Sequence, residues 1–422
     1  MSILSELTLP PGWSSVPFGR VAARTKEACR ADLPPLSVFL GAGVVPRDSR
    51  EDNHNQLGED LGKYLVVRPG DIVFNKLRTW QGGLGASAHE GIVSPAYFVC
   101  RPGPNYHSRF LQYLLLSSTY LQELTRVSKW QPPSQFDIGW EQLRAVPIMA
   151  PSITSQRAIA DYLDTETARI DALITKKQRM IELLKGRFEA AIFQAVTRGV
   201  RGARPMRNVN ISWLVEVPDE WGTPTVSTNF GLQLGKMLNA EAASGADQFA
   251  YVRNVNVQWD RIDVADIATM HFSEADRRRC ELRSGDVLIC EGGEVGRAAV
   301  WANDVSDCYF QKAVHRARPR SGANSRFLMY SLRAAAKMNV FAVQGNLSTI
   351  VHLTGEQLAV HRFPWPPGDE QTEIVERLDS LAEVVRTICQ KLTSQIDLLR
   401  EHRQALITAA VTGELDIPGV AA

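Results

Sequence analysis

The sequence of 422 residues lacks the marks of several large classes of protein. It contains no apolar run of the ~18 residues that a membrane-spanning helix requires, so no membrane partner is expected. The first residues do not show the basic segment followed by an apolar one that is typical of a secretory signal, and we therefore expect a cytoplasmic protein. The six cysteines are scattered without a C-x-x-C pair, which predicts neither a disulfide framework nor a metal site. We expect the thiols to be reduced and mostly buried.

An excess of charge of either sign is also absent. Lysine and arginine number 47 and aspartate and glutamate 46, which gives a net charge of +1. This balance argues mildly against a large basic face for nucleic acid, so any such contact must come from local patches. With 44% hydrophobic residues, the chain is long enough for two or three domains that each have a core.

Catalytic motifs are missing as well. Residues 230–237 approach a phosphate-binding loop, but they have three residues between the glycines where four are needed, and a turn is predicted. The glycine cluster at 292–296 lacks dinucleotide-binding spacing and predicts a loop. The Q-P-P-S segment at 131–134 lacks the amide or carboxylate and the aromatic residue of an amino-methyltransferase loop, and a proline turn is predicted. The eight histidines show no metal-ligand spacing. An enzymatic function is therefore unsupported, and no catalytic residue is proposed.

The sequence does contain one long amphipathic segment that occurs twice. Residues 155–197 predict a helix whose apolar residues recur in alternating steps of about four and three, which is typical of a coiled-coil seam. Gln371 repeats Gln156, and this offset of 215 residues holds to the end of the helix. The predicted seam residues are Ile170, Ile174, Ile181, Leu184 and Phe188 in the first copy and Val385, Leu392, Ile396, Leu399 and Leu406 in the second.

The two copies are complementary in charge. Residues 151–200 contain eight basic and six acidic residues, a net charge of +2, whereas residues 367–422 contain five and ten, a net charge of −5. Opposite charge favours pairing of the two helices. Lys177 and Arg403 each interrupt the apolar seam once, which could fix the register. The competing interpretation is a pair of surface helices with solvated polar faces.

Two globular units alternate with the helices and repeat the same motifs. Each opens with P-x-x-W, continues with R-x-G-D before a strand and S-R-F-L at the start of a helix, and has E-Q-L near its end. In the first unit, strands are predicted at 71–74 and 96–100 and a helix from Ser108 to about Leu124. The sequence therefore predicts an α+β tandem duplication, in which a mixed α/β domain is followed by a long helix and the two helices pair as an antiparallel coiled coil. The predicted boundaries are 1–150, 151–200, 201–366 and 367–422.

Polar loops at equivalent places differ between the two units. Arginine, lysine, asparagine and glutamine are the side chains that read purine edges bidentately, so double-stranded DNA is a candidate partner. Solvated turns are the competing interpretation. The candidate DNA-contacting residues are Lys76, Arg78, Trp80, Gln81, Lys129, Gln131 and Gln135 in the first unit and Arg253, Asn254, Arg297, Gln344, Asn346 and Ser348 in the second.

Together these motifs resemble the specificity subunit of type I restriction-modification systems over essentially the whole chain. The resemblance is most specific in the segment 211–221, in N-L-S at 346–348 and in the helix pair. The first unit is the looser match, because it has Q-P-P-S at 131–134 where the second has Q-G-N-L-S at 344–348.

The resemblance implies a non-catalytic chain in which each globule is a target recognition domain that reads one half of a split DNA site. It also implies that the helix pair sets the gap and docks methyltransferase subunits. S-adenosylmethionine, ATP and Mg would be bound by those partners and by restriction and translocase subunits, so no cofactor is expected in this chain.

Two alternatives come from other classes. One is a stand-alone DNA-modifying enzyme with a fused recognition module, which methylation by the purified chain would reveal. The other is a coiled-coil scaffold that does not bind DNA, in which the loops could be exchanged without effect.

Overall fold

The computed structural model describes residues 4, 9–49, 57–58, 60–131, 135–238, 242–243, 245, 247–341 and 352–420. The chain divides into two compact units, one made of residues 1–178 and 393–422 and the other of residues 179–392. This division cuts both long helices near their middles, so the domain boundaries proposed at their ends stay a prediction. Over the described ranges, no helix combines the length and the apolar character needed to cross a membrane.

The globule of the first unit is built from short strands and helices. Its strands are β1 (Ser14–Pro17), β2 (Ala22–Thr25), β3 (Leu36–Phe39), β4 (Gly43–Pro46), β5 (Leu65–Val67), β6 (Ile72–Asn75), β7 (Leu84–Ala86), β8 (Gly91–Val93), β9 (Tyr97–Pro102), β10 (Lys129–Gln131), β11 (Gln135–Asp137) and β12 (Pro147–Ala150). Its helices are α1 (Phe18–Val21), α2 (Ser108–Leu116), α3 (Ser118–Val127) and α4 (Trp140–Ala145).

A four-stranded antiparallel sheet with the order β2-β9-β6-β7 lies at the centre of this globule. Its apolar face packs against α2 and α3 in a core that includes Ile72, Phe74 and Phe110. The predicted strands correspond to β6 and β9. The single helix predicted from Ser108 is wrong, because it breaks at Ser117. There the Ser117 hydroxyl and amide both donate to the carbonyl of Leu114, which closes α2.

The first long helix, α5 (Ile153–Arg198), leads into the second unit. The strands of that unit are β13 (Met206–Ile211), β14 (Leu214–Pro218), β15 (Phe230–Leu234), β16 (Gln248–Val252), β17 (Val257–Gln258), β18 (Arg261–Ile262), β19 (Ala268–His271), β20 (Val287–Cys290), β21 (Ala298–Val300), β22 (Tyr309–Phe310) and β23 (Val314–Pro319). The helices are α6 (Val226–Asn229), α7 (Glu274–Cys280), α8 (Ser325–Lys337), α9 (Gly355–Val360) and the second long helix, α10 (Gly368–Thr412).

The second unit repeats the sheet of the first in the order β15-β23-β20-β21. The registers agree as well, since Ile72 lies opposite Cys100 in the first sheet and Val287 opposite Ala317 in the second. The predicted tandem duplication is thereby confirmed. The turn predicted at 230–237 is wrong, because its first five residues form β15, whose Phe230 is buried in the core.

The aspartate of the repeated R-x-G-D motif forms a buried ion pair in each unit. Asp71 accepts the backbone N–H of Arg68 and two guanidinium hydrogen bonds of 2.9 Å from Arg101. In the second unit Asp286 accepts the same bonds from Arg283 and Arg318. A buried carboxylate is stable only when it is paired and hydrogen-bonded in this way. The hydrogen bond to Asp286 also raises the pKa of the Arg318 guanidinium.

A second repeated cluster joins each globule to a long helix. Asp164 on α5 accepts hydrogen bonds from Arg109 at 2.7 Å and from the hydroxyl of Tyr113 at 2.6 Å. The equivalent Asp379 on α10 accepts bonds from Arg326 and from the hydroxyl of Tyr330, the latter at 2.6 Å. Because charge-assisted bonds are directional, each cluster fixes the side of the helix that faces its globule.

A further anchor is found at the start of α10. Glu370 is fully buried and accepts a bidentate interaction from Arg204 and a hydrogen bond of 3.0 Å from the indole N–H of Trp221. Burial raises the pKa of this carboxyl, but the bonds from Arg204 and Trp221 outweigh it and hold the pKa below its usual value.

The two long helices pack against each other within each unit. In the first unit α5 and α10 share one core. Asp171 pairs with Arg403 at 3.0 Å and Lys177 with Gln395 at 2.7 Å, so the residue numbers rise along α5 as they fall along α10. In the second unit Phe188 of α5 shares a core with the first half of α10. The predicted antiparallel pairing is therefore confirmed.

All ten predicted seam residues are buried or partly buried. Four of them are buried: Ile170, Phe188, Leu392 and Ile396. The two charged residues that interrupt the seam, Lys177 and Arg403, each bond to the facing helix, Lys177 to the amide oxygen of Gln395 and Arg403 to the carboxylate of Asp171.

Candidate nucleic-acid interface

The two polar loops of the first unit meet and form one surface, here called the first-unit face (residues 75–83, 129–131 and 135–138). The amide of Ile138 donates to the carbonyl of Lys76 at 3.3 Å. The rings of Trp80 and Phe136 lie 5.2 Å apart. A backbone hydrogen bond and an aromatic contact thus hold the loop after β6 against the β10–β11 hairpin.

The loop after β6 is a tight turn that aims its polar side chains outward. The hydroxyl of Thr79 donates to the carbonyl of Asn75 at 2.7 Å. A Cβ on Gly83 would come within 2.7 Å of the carbonyl oxygen of Arg78, so only glycine fits where the loop closes. Arg78 and Gln81 are exposed as a result, whereas Lys76 and Trp80 are partly buried.

The β10–β11 hairpin adds a further cation and an aromatic side chain to this face. Lys129 is exposed, and the backbones of Gln131 and Gln135 pair at the end of the hairpin. Trp130, which the sequence analysis did not single out, is 48% exposed and lies 5.0 Å from the ring of Phe136. Accessible cations can neutralise phosphates, and an indole can stack on a base. The sequence feature that could have marked Trp130 as a candidate is its place between Lys129 and a glutamine.

Tyr97 is another residue of this surface that sequence reasoning missed. Its hydroxyl lies 3.5 Å from the side-chain amide of Asn75. Burial raises the pKa of Tyr97, while the charges of Arg78 and Arg47 act in the opposite direction. The phenol therefore stays protonated and can donate a hydrogen bond close to Arg78.

In the second unit the candidate residues are largely bonded to one another. The side chain of Asn254 donates to the carbonyls of Gly292 and Ala313 at 3.1 and 3.2 Å and accepts from Arg297 at 3.1 Å. Arg253 forms an ion pair of 2.7 Å with Asp266. These bonds join segments 253–256 and 291–297, here called the second-unit face. Base contact by Arg253, Asn254 and Arg297 stays a prediction, and their bonds show that they shape the loops. Gln344, Asn346 and Ser348 lie outside the described residues.

The loops that follow β6 and β20 differ in charge although they occupy the same place on the sheet. Lys76, the first residue after β6, is matched by Glu291, the first residue after β20. The second-unit face also carries Glu294, which accepts a hydrogen bond of 2.7 Å from the indole of Trp259. One frame thus presents two chemically different surfaces.

Among the residues that the structure describes, neither face contains a cluster of side chains suited to redox or metal chemistry. All six cysteines are free and four are buried, as predicted. Burial raises the pKa of Cys308 to about 12, so this thiol is not a nucleophile at neutral pH. Among the described residues, no group of three or more histidine, cysteine or carboxylate side chains could hold a metal ion.

Comparison with known proteins identifies the relatives of this chain. The family described as Type I restriction modification DNA specificity domain matches residues 256–398. The chain is 24% identical to the type I restriction enzyme StySPI specificity subunit of Salmonella potsdam, over 96% of this chain and 90% of the relative. The chain is thus similar to the type I specificity subunits. The EcoKI specificity subunit of Escherichia coli is 22% identical over 98% of this chain and 91% of the relative. The resemblance found in the sequence is confirmed.

Two solved structures share the fold. A chain from a study of complex assembly and conformational transition of the type I R-M system matches with a TM-score of 0.73 and 18% identity, over 97% of this chain and 100% of that chain. The HsdS subunit from Thermoanaerobacter tengcongensis matches with a TM-score of 0.54 and 17% identity, over 98% of this chain and 100% of that chain. These two proteins therefore share the α+β architecture described above.

Proposed function

We propose that this chain selects the DNA sequence on which a type I restriction-modification complex acts, each unit reading one half of a bipartite site. One observation carries the proposal: two copies of the same sheet, in the same strand order and register, present different polar loops at the same place. A frame that is repeated while its loops differ is suited to reading two different half-sites.

The long helices suit the role of a spacer. They contain 46 and 45 residues, so each is about 69 Å long at 1.5 Å per residue. At ~3.4 Å per base pair this length corresponds to about 20 base pairs of duplex. A bipartite site with an unread gap is the kind of target that a helix pair of this length can measure.

Partner subunits supply the chemistry in this proposal. Methyltransferase subunits would dock on the helices, where the exposed residues Leu183 and Leu398 are related by the 215-residue offset of the repeat. Because both copies of the helix expose leucine at the same repeat position, these two side chains are the proposed contacts for a partner. Those subunits and the restriction and translocase subunits would bind S-adenosylmethionine, ATP and Mg, and the complex would act on DNA in the cytoplasm. This chain would itself be non-catalytic.

The test is to map methylated adenines in DNA from cells with and without this chain. A bipartite methylated sequence that appears only with the chain is the expected result. Exchanging residues 75–83 for those of another specificity subunit should then change one half-site and leave the other unchanged. Methylation by the purified chain alone would instead identify a stand-alone enzyme, and an unchanged methylation pattern after the exchange would favour a scaffold.

A further inference from the structure

Two cations in the first unit share one aromatic ring. The guanidinium carbon of Arg24, on β2, lies 4.6 Å from the ring centroid of Phe98, and the ammonium nitrogen of Lys76 lies 5.3 Å from the same centroid. Both side chains are partly buried. No hydrogen bond or ion pair joins either side chain to another described residue, and Nε of Arg24 is buried without a partner.

The surrounding rings hold the guanidinium in place. Arg24 lies opposite Cys100 in the sheet, so its side chain emerges on the same face as that of Phe98, two residues away. Its guanidinium also lies 5.5 Å from the ring of Trp140, which packs edge-on against Phe98. Cation–π contact steadies the charge but leaves the N–H groups of the guanidinium unbonded.

Bringing two like charges together without a counter-ion is unfavourable. Both cations lie near one centroid, so they are at most about 10 Å apart, a distance comparable to the Debye length in physiological salt. Partial burial adds a desolvation cost that a bound anion would offset. The arrangement therefore favours a bound anion at this position.

The fold does not require these charges. In the second unit Leu232 takes the strand position of Arg24, because it lies opposite Ala317 in the same register. Glu291 takes the position of Lys76 after the equivalent strand. The second unit builds the same sheet with no cation at either position, so a structural role does not explain the pair.

We propose that Arg24 and Lys76 bind backbone phosphates of the DNA half-site read by the first unit. The inference rests on the proposed function and assigns to Arg24 a role that its strand position did not suggest. Lys76 is tied by its carbonyl to Ile138 of the first-unit face, so the pair borders the loops that would contact bases. Guanidinium and ammonium groups are the side chains that bind phosphate oxygens. Lys76 would thus position the DNA, and the exposed Arg78 and Gln81 would read it.

The test compares the full-length chain with the variant Arg24→Gln/Lys76→Gln on a fluorescently labelled duplex across a salt series. Each lost phosphate contact should reduce the slope of log affinity against log salt by ~0.9, so the double variant should lose about 1 to 2. The control is Arg30→Gln/Lys63→Gln, which removes the same charge from the same unit. Both control residues are exposed and paired with aspartates, so the slope should change little.

Each outcome bears on a different claim. Equal slopes for the test and control variants, with wild-type binding intact, would overturn the phosphate assignment alone. No salt-dependent DNA binding by the wild-type chain would overturn the proposed function as well. If inorganic phosphate raises the melting temperature of the wild type but not of the test variant, while their DNA slopes agree, the site binds free anions and the proposal is wrong. Matching circular dichroism spectra show that the variants are folded.

Discussion

Lengthening both long helices by four residues is expected to widen the unread gap of the DNA site without changing the bases read at either end. The insertions are placed after Lys176 in α5 and after Gln395 in α10. Lys177 and Gln395 are hydrogen-bonded across the pair, so the two inserted segments face each other and the existing cross-helix contacts keep their register. Four extra residues are a stutter, which a coiled coil absorbs by local unwinding.

The size of the effect can be calculated from helix geometry. Four residues add ~6 Å to each helix and rotate the downstream part of the helix by ~40°. Since one base pair rises ~3.4 Å, the gap should grow by about 1 to 2 base pairs. The half-sites should not change, because the faces of both units are untouched.

Sequencing of methylated adenines in cells that express the lengthened chain measures gap and half-sites together. A four-residue insertion at the exposed Gly202, between α5 and β13, is the matched control and should leave the gap as it was. An altered half-site with an unaltered gap in the lengthened chain would refute the idea that the helices set the spacing.

Substitutions at three other places test the packing and the partners. Replacing Ile181 and Ile396 by aspartate should separate the helices, because each change places an unpaired charge in the seam, and a methyltransferase subunit that still co-purifies in stoichiometric amount would contradict this. Glu370→Ala should destabilise the second unit by about 3 kcal/mol in thermal melts by breaking a buried ion pair. Because the pKa of this carboxyl is lowered in the fold, its contribution is full above the ordinary value of 4.5 and is lost as the pH falls through the folded pKa. Glu370→Gln should abolish that pH dependence, and a variant whose acid unfolding matches the wild type would refute the assignment. Leu183→Asp and Leu398→Asp should each weaken partner binding in pull-down assays without loss of helix content, whereas unchanged binding would place the partner elsewhere.

Periodicity and internal repetition were sufficient to predict the architecture. The 215-residue offset aligns residues that prove equivalent in space, such as Asp71 with Asp286 and Asp164 with Asp379. Such agreement is expected for Asp71 and Asp286 because a buried carboxylate is stable only with its hydrogen-bond partners, so both copies keep them. The break at Ser117 was not predictable, since it depends on one hydroxyl that competes for a carbonyl inside an apolar periodic segment.

The candidate site was harder to predict because residue type does not reveal where a side chain finds its partner. Arg253 and Arg297 suit DNA contact by chemistry, yet both side chains bond to other loop segments of the same unit. Arg24 was missed for the opposite reason, because it lies in a strand and only the tertiary contact with Phe98 shows that its charge has no partner among the described residues. Whether a cation is free or bonded is a property of the packing and not of the sequence pattern.

The division of the chain into a continuous and a discontinuous unit has a consequence for its synthesis. The core of the first unit takes Ile407, Ala410 and Ile417 from the end of the chain, and Gly413 lies against Pro10 and Trp13 near its start. During synthesis the first globule therefore emerges from the ribosome with an apolar face uncovered. It is complete only after residues 393–422 have been made. The second unit, continuous from residue 179 to 392, has all its parts earlier and can fold first although it is made second. During translation the first globule must wait with that surface exposed, and this interval is when the chain is most open to aggregation and to chaperones.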